Sequence, residues 1–250
     1  MSARPSDRTL PASAALVIFA KAPIPGQVKT RLCPALTEDE AATLHGSFVL
    51  DTLERTKAAV NKFKLPVDRF LACAPSSTHV FFRIMEARHG VTLLDQQGED
   101  LGSRMRQAFD TLFARGYRQV HLVGTDVPSL PLAHYRDAVA SLTRHDLVVG
   151  PAKDGGYYLI GMTRPYPDLF AGIPWSTDQV LSLTEQKAAA TGLDTALLPV
   201  WSDVDTINDL QALIDDCAAD KTRPKQERVY SMRTAGTLEL LAKRLRARQI

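Results

Sequence analysis

Short apolar, β-branched runs alternate along the chain with longer amphipathic segments. The runs at residues 15–20, 67–74, 91–94, 119–124, 147–150, 157–162 and 195–200 predict strands. They are apolar throughout rather than at every second position, which marks strands covered on both faces. Between most of them the apolar residues recur at helical spacing. Thr37 with Glu40 three residues on is a capping box. It opens a helix whose Leu44, Phe48, Leu53 and Val60 can face a core. Further helices are predicted at 80–88, 102–115, 132–143, 178–190 and 207–218. This alternation predicts an α/β fold, a three-layer αβα domain on a mostly parallel sheet, over about residues 13–218. Residues 1–12 and 219–250 read as extensions, the second basic and helical. In such a sheet ligands bind beyond the carboxyl ends of the strands, so the loops after strands matter most.

Composition narrows the class. Of 250 residues, 45% are hydrophobic and 23% charged, ordinary for a globular protein. No apolar run approaches the roughly 20 residues of a membrane span, and MSARPSDRTL at the start has no hydrophobic signal core. Cys33, Cys73 and Cys217 are odd in number, far apart and form no CxxC, which argues against a disulfide framework or zinc site and suits the cytoplasm. The net charge of +2 hides an asymmetry: residues 221–250 hold nine Lys/Arg against two acids, a surplus of +7, which leaves −5 for residues 1–220. The body therefore offers no basic surface for nucleic acid. Leu238, Leu241 and Leu245 fall at helical spacing in the tail, which reads as a solvated amphipathic helix. A nucleic-acid or membrane contact there is the alternative.

Five loops are chemically loaded. In AKAPIPGQVKTRL, residues 20–32, Pro23, Pro25 and Gly26 shape an irregular backbone carrying Lys21, Lys29 and Arg31. Lys29 and Arg31 are two apart and would point the same way if extended. Cations with backbone amides make a phosphate cradle, although neither GxxxxGK[ST] nor GxGxxG is present; a merely solvated surface loop is the other reading. LVGTDVPSL delivers Asp126 to a strand end, suited to Mg²⁺ or Mn²⁺ or to a plain capping turn. Asp154-Gly155-Gly156 is a turn that a ligand can approach closely, or a simple hairpin. WSDVDTINDL holds Asp203 and Asp205, either of which can join Asp126 on a metal, while Asp205 or Thr206 can cap the next helix. Asp100, Gly102 and Arg104 stand at a helix start that can meet a phosphate or base. Trp175 and Trp201 flank these loops; stacking on a ligand and packing are both open to them.

Six segments in register, VIFAKAPIPGQVKTRL, LGSRM…AF, GTDVPSL, GPAKDGGYYLIGM, IPWSTDQVL and DVDTINDL, resemble the bacterial radical-SAM/selenodomain-associated transferase family, of GT-A glycosyltransferase type, over roughly residues 15–213. The family is itself similar to the 2-phospholactate guanylyltransferases and the molybdenum-cofactor nucleotidyltransferases. The resemblance implies a nucleotide-diphosphosugar-transferase fold, a mixed Rossmann-like sheet, a nucleotide donor (an NTP or an NDP-sugar), a small-molecule acceptor, and Mg²⁺ or Mn²⁺. It implies that Lys21, Lys29 and Arg31 hold phosphates, that Pro25 and Gly26 shape that loop, and that Asp126 and Asp205 hold the metal. Gly102, Arg104, Asp154, Gly155 and Gly156 then belong to substrate binding, with Lys29, Arg31 and Asp126 the catalytic set. Two departures matter: the first loop has one glycine where nucleotidyltransferases carry LxGGxSxRMGxxK, and TDVP replaces the DxD of glycosyltransferases. Glycosyl transfer from an NDP-sugar, nucleotidyl transfer from an NTP, and a non-catalytic nucleotide-binding module are the three readings that follow. A homo-oligomer is compatible with all of them.

Overall fold

The computed structural model describes residues 13–224 and 227–248, so the extension read at residues 1–12 lies outside it. The strands are β1 (Ala14–Lys21), β2 (Val67–Ala74), β3 (Thr92–Asp95), β4 (Gln119–Val123), β5 (Leu147–Pro151), β6 (Tyr157–Met162) and β7 (Thr195–Leu197). The helices are α1 (Glu38–Phe63), α2 (Val80–His89), α3 (Leu101–Ala114), α4 (Leu132–Ser141), α5 (Val180–Ala190), α6 (Ile207–Asp220) and α7 (Met232–Arg248). One sheet runs in the order β3-β2-β1-β4-β6-β5-β7. β1 pairs in parallel with β2 and β4, β2 with β3, and β5 with β7. β6 runs antiparallel between β4 and β5. The fold is thus the three-layer α/β architecture with a mostly parallel mixed sheet.

Alternation along β1 shows why both faces must be covered. Leu16, Ile18 and Ala20 face a core shared with Val49 and Leu53 of α1, Phe82 of α2 and Tyr135 of α4. Ala15 and Val17 face the other core, with Met105, Phe109 and Leu112 of α3. On β6 the adjacent Tyr157 and Tyr158 likewise divide, Tyr157 packing partly buried on one core and Tyr158 buried in the other.

Local signals account for the element ends. Thr37 and Glu40 form both halves of their capping box. α3 begins one residue earlier than the pattern suggests, because Asp100 is its N-cap and Ser103 reciprocates. Thr206 caps α6, with Asp209 closing the box. β7 stops at Leu197, short of residue 200, since Pro199 has no N–H to donate. The chain still follows β5, through Leu198 N to Val149 O at 2.8 Å and Trp201 N to Pro151 O at 3.0 Å.

The tail is helical, and its apolar stripe is covered. Leu238 and Leu241 are buried with Leu44 and Phe48 of α1 and with Leu210 and Leu213 of α6. Thr234 Oγ1 donates to Asp51 at 2.5 Å, Arg233 pairs with Glu54 at 2.8 Å, and Arg244 pairs with Glu40 at 2.6 Å. Part of the positive tail is therefore matched by carboxylates of α1. Among the described residues, no helix is long and apolar enough to cross a membrane.

β4 buries His121 completely, against Gly161 of β6, where a Cβ would come within 2.5 Å of the imidazole Nδ1. Neither ring nitrogen has a partner, and burial pushes the pKa down to about 3. The folded state thus holds this ring neutral while the unfolded chain protonates it near its ordinary 6.5. Between those values the unfolded state binds the extra proton, so stability falls with falling pH, by up to about 1.4 kcal/mol per pH unit. His121→Leu should flatten the decline in urea-unfolding free energy between pH 6.5 and pH 5. An unchanged slope would mean that His121 titrates alike in both states.

Candidate active site

β1, β4, β5 and β7 all point the same way, so the loops after them open on one rim. That rim is a cleft of about 640 Å³. Lys21 and the 27–31 segment line it from β1, Gly124–Val127 from β4, Asp154 and Gly156 from the β5–β6 turn, and Asp203 and Asp205 from the segment after β7. Pro25 and Gly26 shape the first loop from outside the lining; Gly26 has φ +75, and a Cβ there would stand 3.2 Å from the Glu38 carboxylate.

Lys29 and Arg31 do not point the same way. Lys29 is left-handed, φ 50 and ψ 34, and caps a 3-10 turn over Thr30–Leu32, so the extended geometry behind that expectation is absent. The turn sends Lys29 inward, its side chain 4% exposed, and leaves Arg31 57% exposed. The Lys29 ammonium reaches Asp126 at 2.5 Å, Asp205 at 2.9 Å and the Val204 carbonyl at 2.7 Å. Those three acceptors use its three donors. Burial works against the charge, but Asp126 and Asp205 outweigh it and raise the Lys29 pKa. Burial likewise opposes ionisation of Asp126, and Lys29 then holds that carboxyl below its usual range. Arg31 approaches Asp205 at 3.8 Å. Val204 N–H donates to the Asp126 carbonyl at 3.0 Å, which ties the two acidic segments together.

Asp154, Asp203 and Asp205 each offer an oxygen within 4.8 Å of the others. β5 and β7 are neighbours, and an isolated bridge between Ala152 and Trp201 continues their pairing to this point. Asp203 and Asp205 flank buried Val204, so both face the Asp154 turn. Burial, then Asp154 and Asp205, pushes the Asp203 carboxyl up to about 7. Crowded anions of this kind are the donor set that hard divalent cations take. Asp126 stands outside the group, on the far side of Lys29.

The remaining expected residues divide. Asp154 Oδ1 accepts from Gly156 N at 2.8 Å, which sets the turn. Gly155, φ +88, packs on Asp178, where a Cβ would come within 2.2 Å of the carbonyl oxygen. Gly102 is filled by Trp175, whose ring atoms would stand 2.6 Å from a Cβ. Arg104 lines the cleft and donates to the Gly98 carbonyl at 2.9 Å.

Two lining residues, His45 and Gln96, carry no sequence signal as site residues, and a third, Trp175, carries a weak one. His45, on α1, meets the Lys21 carbonyl through Nε2 at 3.0 Å; burial lowers its pKa, so the ring is neutral. Gln96 donates from Nε2 to the carbonyls of Ala20 at 3.1 Å and Ala72 at 2.8 Å, fixing the ends of β1 and β2. Trp175 was visible only as an aromatic near a loop. Trp201, by contrast, packs on His134 and donates to Ser129 at 3.1 Å.

A provisionally assigned nucleotide-diphospho-sugar transferase from Desulfovibrio desulfuricans G20 is 33% identical, with 94% of this chain and 98% of that one covered and a TM-score of 0.80. A CMP:2-keto-3-deoxy-manno-octonic acid synthetase complexed with CTP shares the fold at 12% identity, TM-score 0.53, over 84% of this chain and 100% of its own. A cytidylyltransferase from Leptospira borgpetersenii does so at 15% identity, TM-score 0.52, over 93% and 95%. No curated protein sequence matches the chain. The model of a family described as an uncharacterized protein conserved in bacteria, DUF2064, matches residues 58–177. With that match and a relative one-third identical over nearly the full length, the chain belongs to the DUF2064 family.

Proposed function

We propose that this chain is a metal-dependent transferase that moves a sugar from a nucleoside diphosphate donor to a small acceptor. The observation that carries the reading is the crowded group Asp154, Asp203 and Asp205, which lines one cleft together with the cationic first loop. The similar D. desulfuricans protein, provisionally assigned to nucleotide-diphospho-sugar transfer, supports the choice of donor.

Asp154, Asp203 and Asp205 would hold Mg²⁺ or Mn²⁺. Bound there, the ion would supply charge neutralisation to the leaving diphosphate. Arg31 and Lys21, both exposed in the cleft lining, bind the donor phosphates. Lys29 acts by holding Asp126 and Asp205 in register rather than by touching phosphate. In transfer, the acceptor oxygen bonds to the sugar carbon while the bond from that carbon to the diphosphate oxygen breaks. The electron pair leaves with the diphosphate, and the acceptor proton passes to water or to Asp178, which adjoins the Asp154 turn. Most of the rate then comes from positioning and charge.

A second reading, nucleotidyl transfer from an NTP, is favoured by one feature: β4 ends in the single carboxylate Asp126, held by Lys29, where a DxD pair would otherwise stand. Release of pyrophosphate from an NTP would support it, and release of a nucleoside diphosphate from an NDP-sugar the first.

Asp203→Asn should weaken Mn²⁺ binding at least tenfold by isothermal titration calorimetry, with the circular dichroism spectrum intact. Equal Mn²⁺ affinity in the two proteins would remove the three carboxylates from the metal site. Lys29→Met leaves two partly solvated carboxylates side by side without their cation. Its urea-unfolding free energy should fall by about 2 kcal/mol. A variant as stable as the parent would show that the Lys29 contacts hold nothing together.

A further inference from the structure

One wall of the cleft is unused by the phosphate and metal groups. Trp175 lines it, partly buried, with Ser176 and Thr177 beside it. Three separate features fix the indole there. On α3, Gly102 leaves the space a side chain would take, with the Trp175 ring 2.6 Å from the missing Cβ. Ser176 is left-handed, φ 66, a conformation that costs a non-glycine residue on the order of 1 kcal/mol. The segment beyond it is clipped to the Asp154 turn, through the close approach of Gly155 to Asp178 and through Leu181 N to the Gly155 carbonyl at 2.8 Å. The indole also keeps a buried Nε1–H with no partner. Tyr157 meets the ring edge-on at 6.5 Å and Phe170 lies 6.4 Å away, so the indole is held rigidly where it lines the cleft. Backbone strain of this kind gathers at ligand clamps.

We propose that Trp175 is the stacking wall of an acceptor subsite, and that the acceptor is a small cyclic polyol. The inference rests on the transferase reading above. A ring laid on the indole contributes stacking that an acyclic chain cannot match. Its hydroxyls meet the Ser176 and Thr177 side, and the clip to Gly155 sets that wall beside Asp154, where a nucleophilic hydroxyl belongs.

The chain has two tryptophans, so Trp201→Phe leaves Trp175 as the single reporter. In that background, with Mn²⁺ present, methyl α-glucoside should change the Trp175 emission saturably, at a concentration at least tenfold below any change caused by glycerol. Adding Gly102→Ala, which displaces the indole, should weaken that response at least tenfold. If that protein does not fold, Trp175→Leu read by calorimetry with methyl α-glucoside serves in its place, with the same tenfold loss expected. Equal responses to glycerol and glucoside, no saturable response, or an unaltered response in the variant would overturn the proposal. So would a response to nucleoside diphosphates that excludes the glucoside, since the wall would then belong to the donor base. Failure of Mn²⁺ binding in the calorimetry of the parent protein would instead sink the transferase reading, and it is read without either tryptophan.

Discussion

The cleft depends on one buried ammonium. Lys29 comes from the loop after the first strand and meets carboxylates from the loops after β4 and β7. Three chain segments far apart in sequence are thereby held to one point. A charge so far out of water is tolerated only because its three protons are all received, two of them by anions. The left-handed backbone at Lys29 is part of the same arrangement, since it turns the side chain away from solvent and into the gap between Asp126 and Asp205. Both flanks of the cleft inherit this register. The exposed cations, Lys21 and Arg31, come from the same loop as Lys29, and Asp205 joins that loop to the Asp154 and Asp203 carboxylates.

The layers of the fold were legible in the sequence because they rest on periodicity and caps, which are local. Fully apolar runs foretold a sheet covered on both faces, and the Thr37–Glu40 box foretold the start of α1. Errors at the ends have local causes as well: Pro199 shortened β7, and the Asp100 cap starts α3 at Leu101. The identity of the loaded loops was legible too, since an α/β sheet sends its ligands to the carboxyl ends of its strands. How the side chains pair within those loops was not. Spacing suggested that Lys29 and Arg31 act together, whereas a single left-handed residue separates them. No local signal says that Asp154 will lie beside Asp203, because that follows from β5 and β7 being neighbours. Trp175 and Gly102 meet across more than seventy residues, and neither carries a mark of the other.

The tail shows the same division between local pattern and long-range partner. Its leucines at helical spacing foretold a helix, but the partner surface on α1 could not be read from spacing. α1 uses one side for the sheet and the other for α6 and α7, so Leu44 and Phe48 belong to a core separate from that of Val49 and Leu53. The carboxylates Glu40, Asp51 and Glu54 that meet the tail lie on that outer side. A charge surplus counted along the chain is therefore a poor guide to the potential at its surface.

The parallel direction of β1, β4, β5 and β7 has a consequence for the order of synthesis. The rim gathers residues from position 21 to position 205, so almost the whole chain must leave the ribosome before the cleft exists. A nascent chain ending between β5 and the segment after β7 has the first loop and the β4 aspartate but lacks Asp203 and Asp205. The cleft is therefore a late product of folding, and it exists only once the sheet is complete.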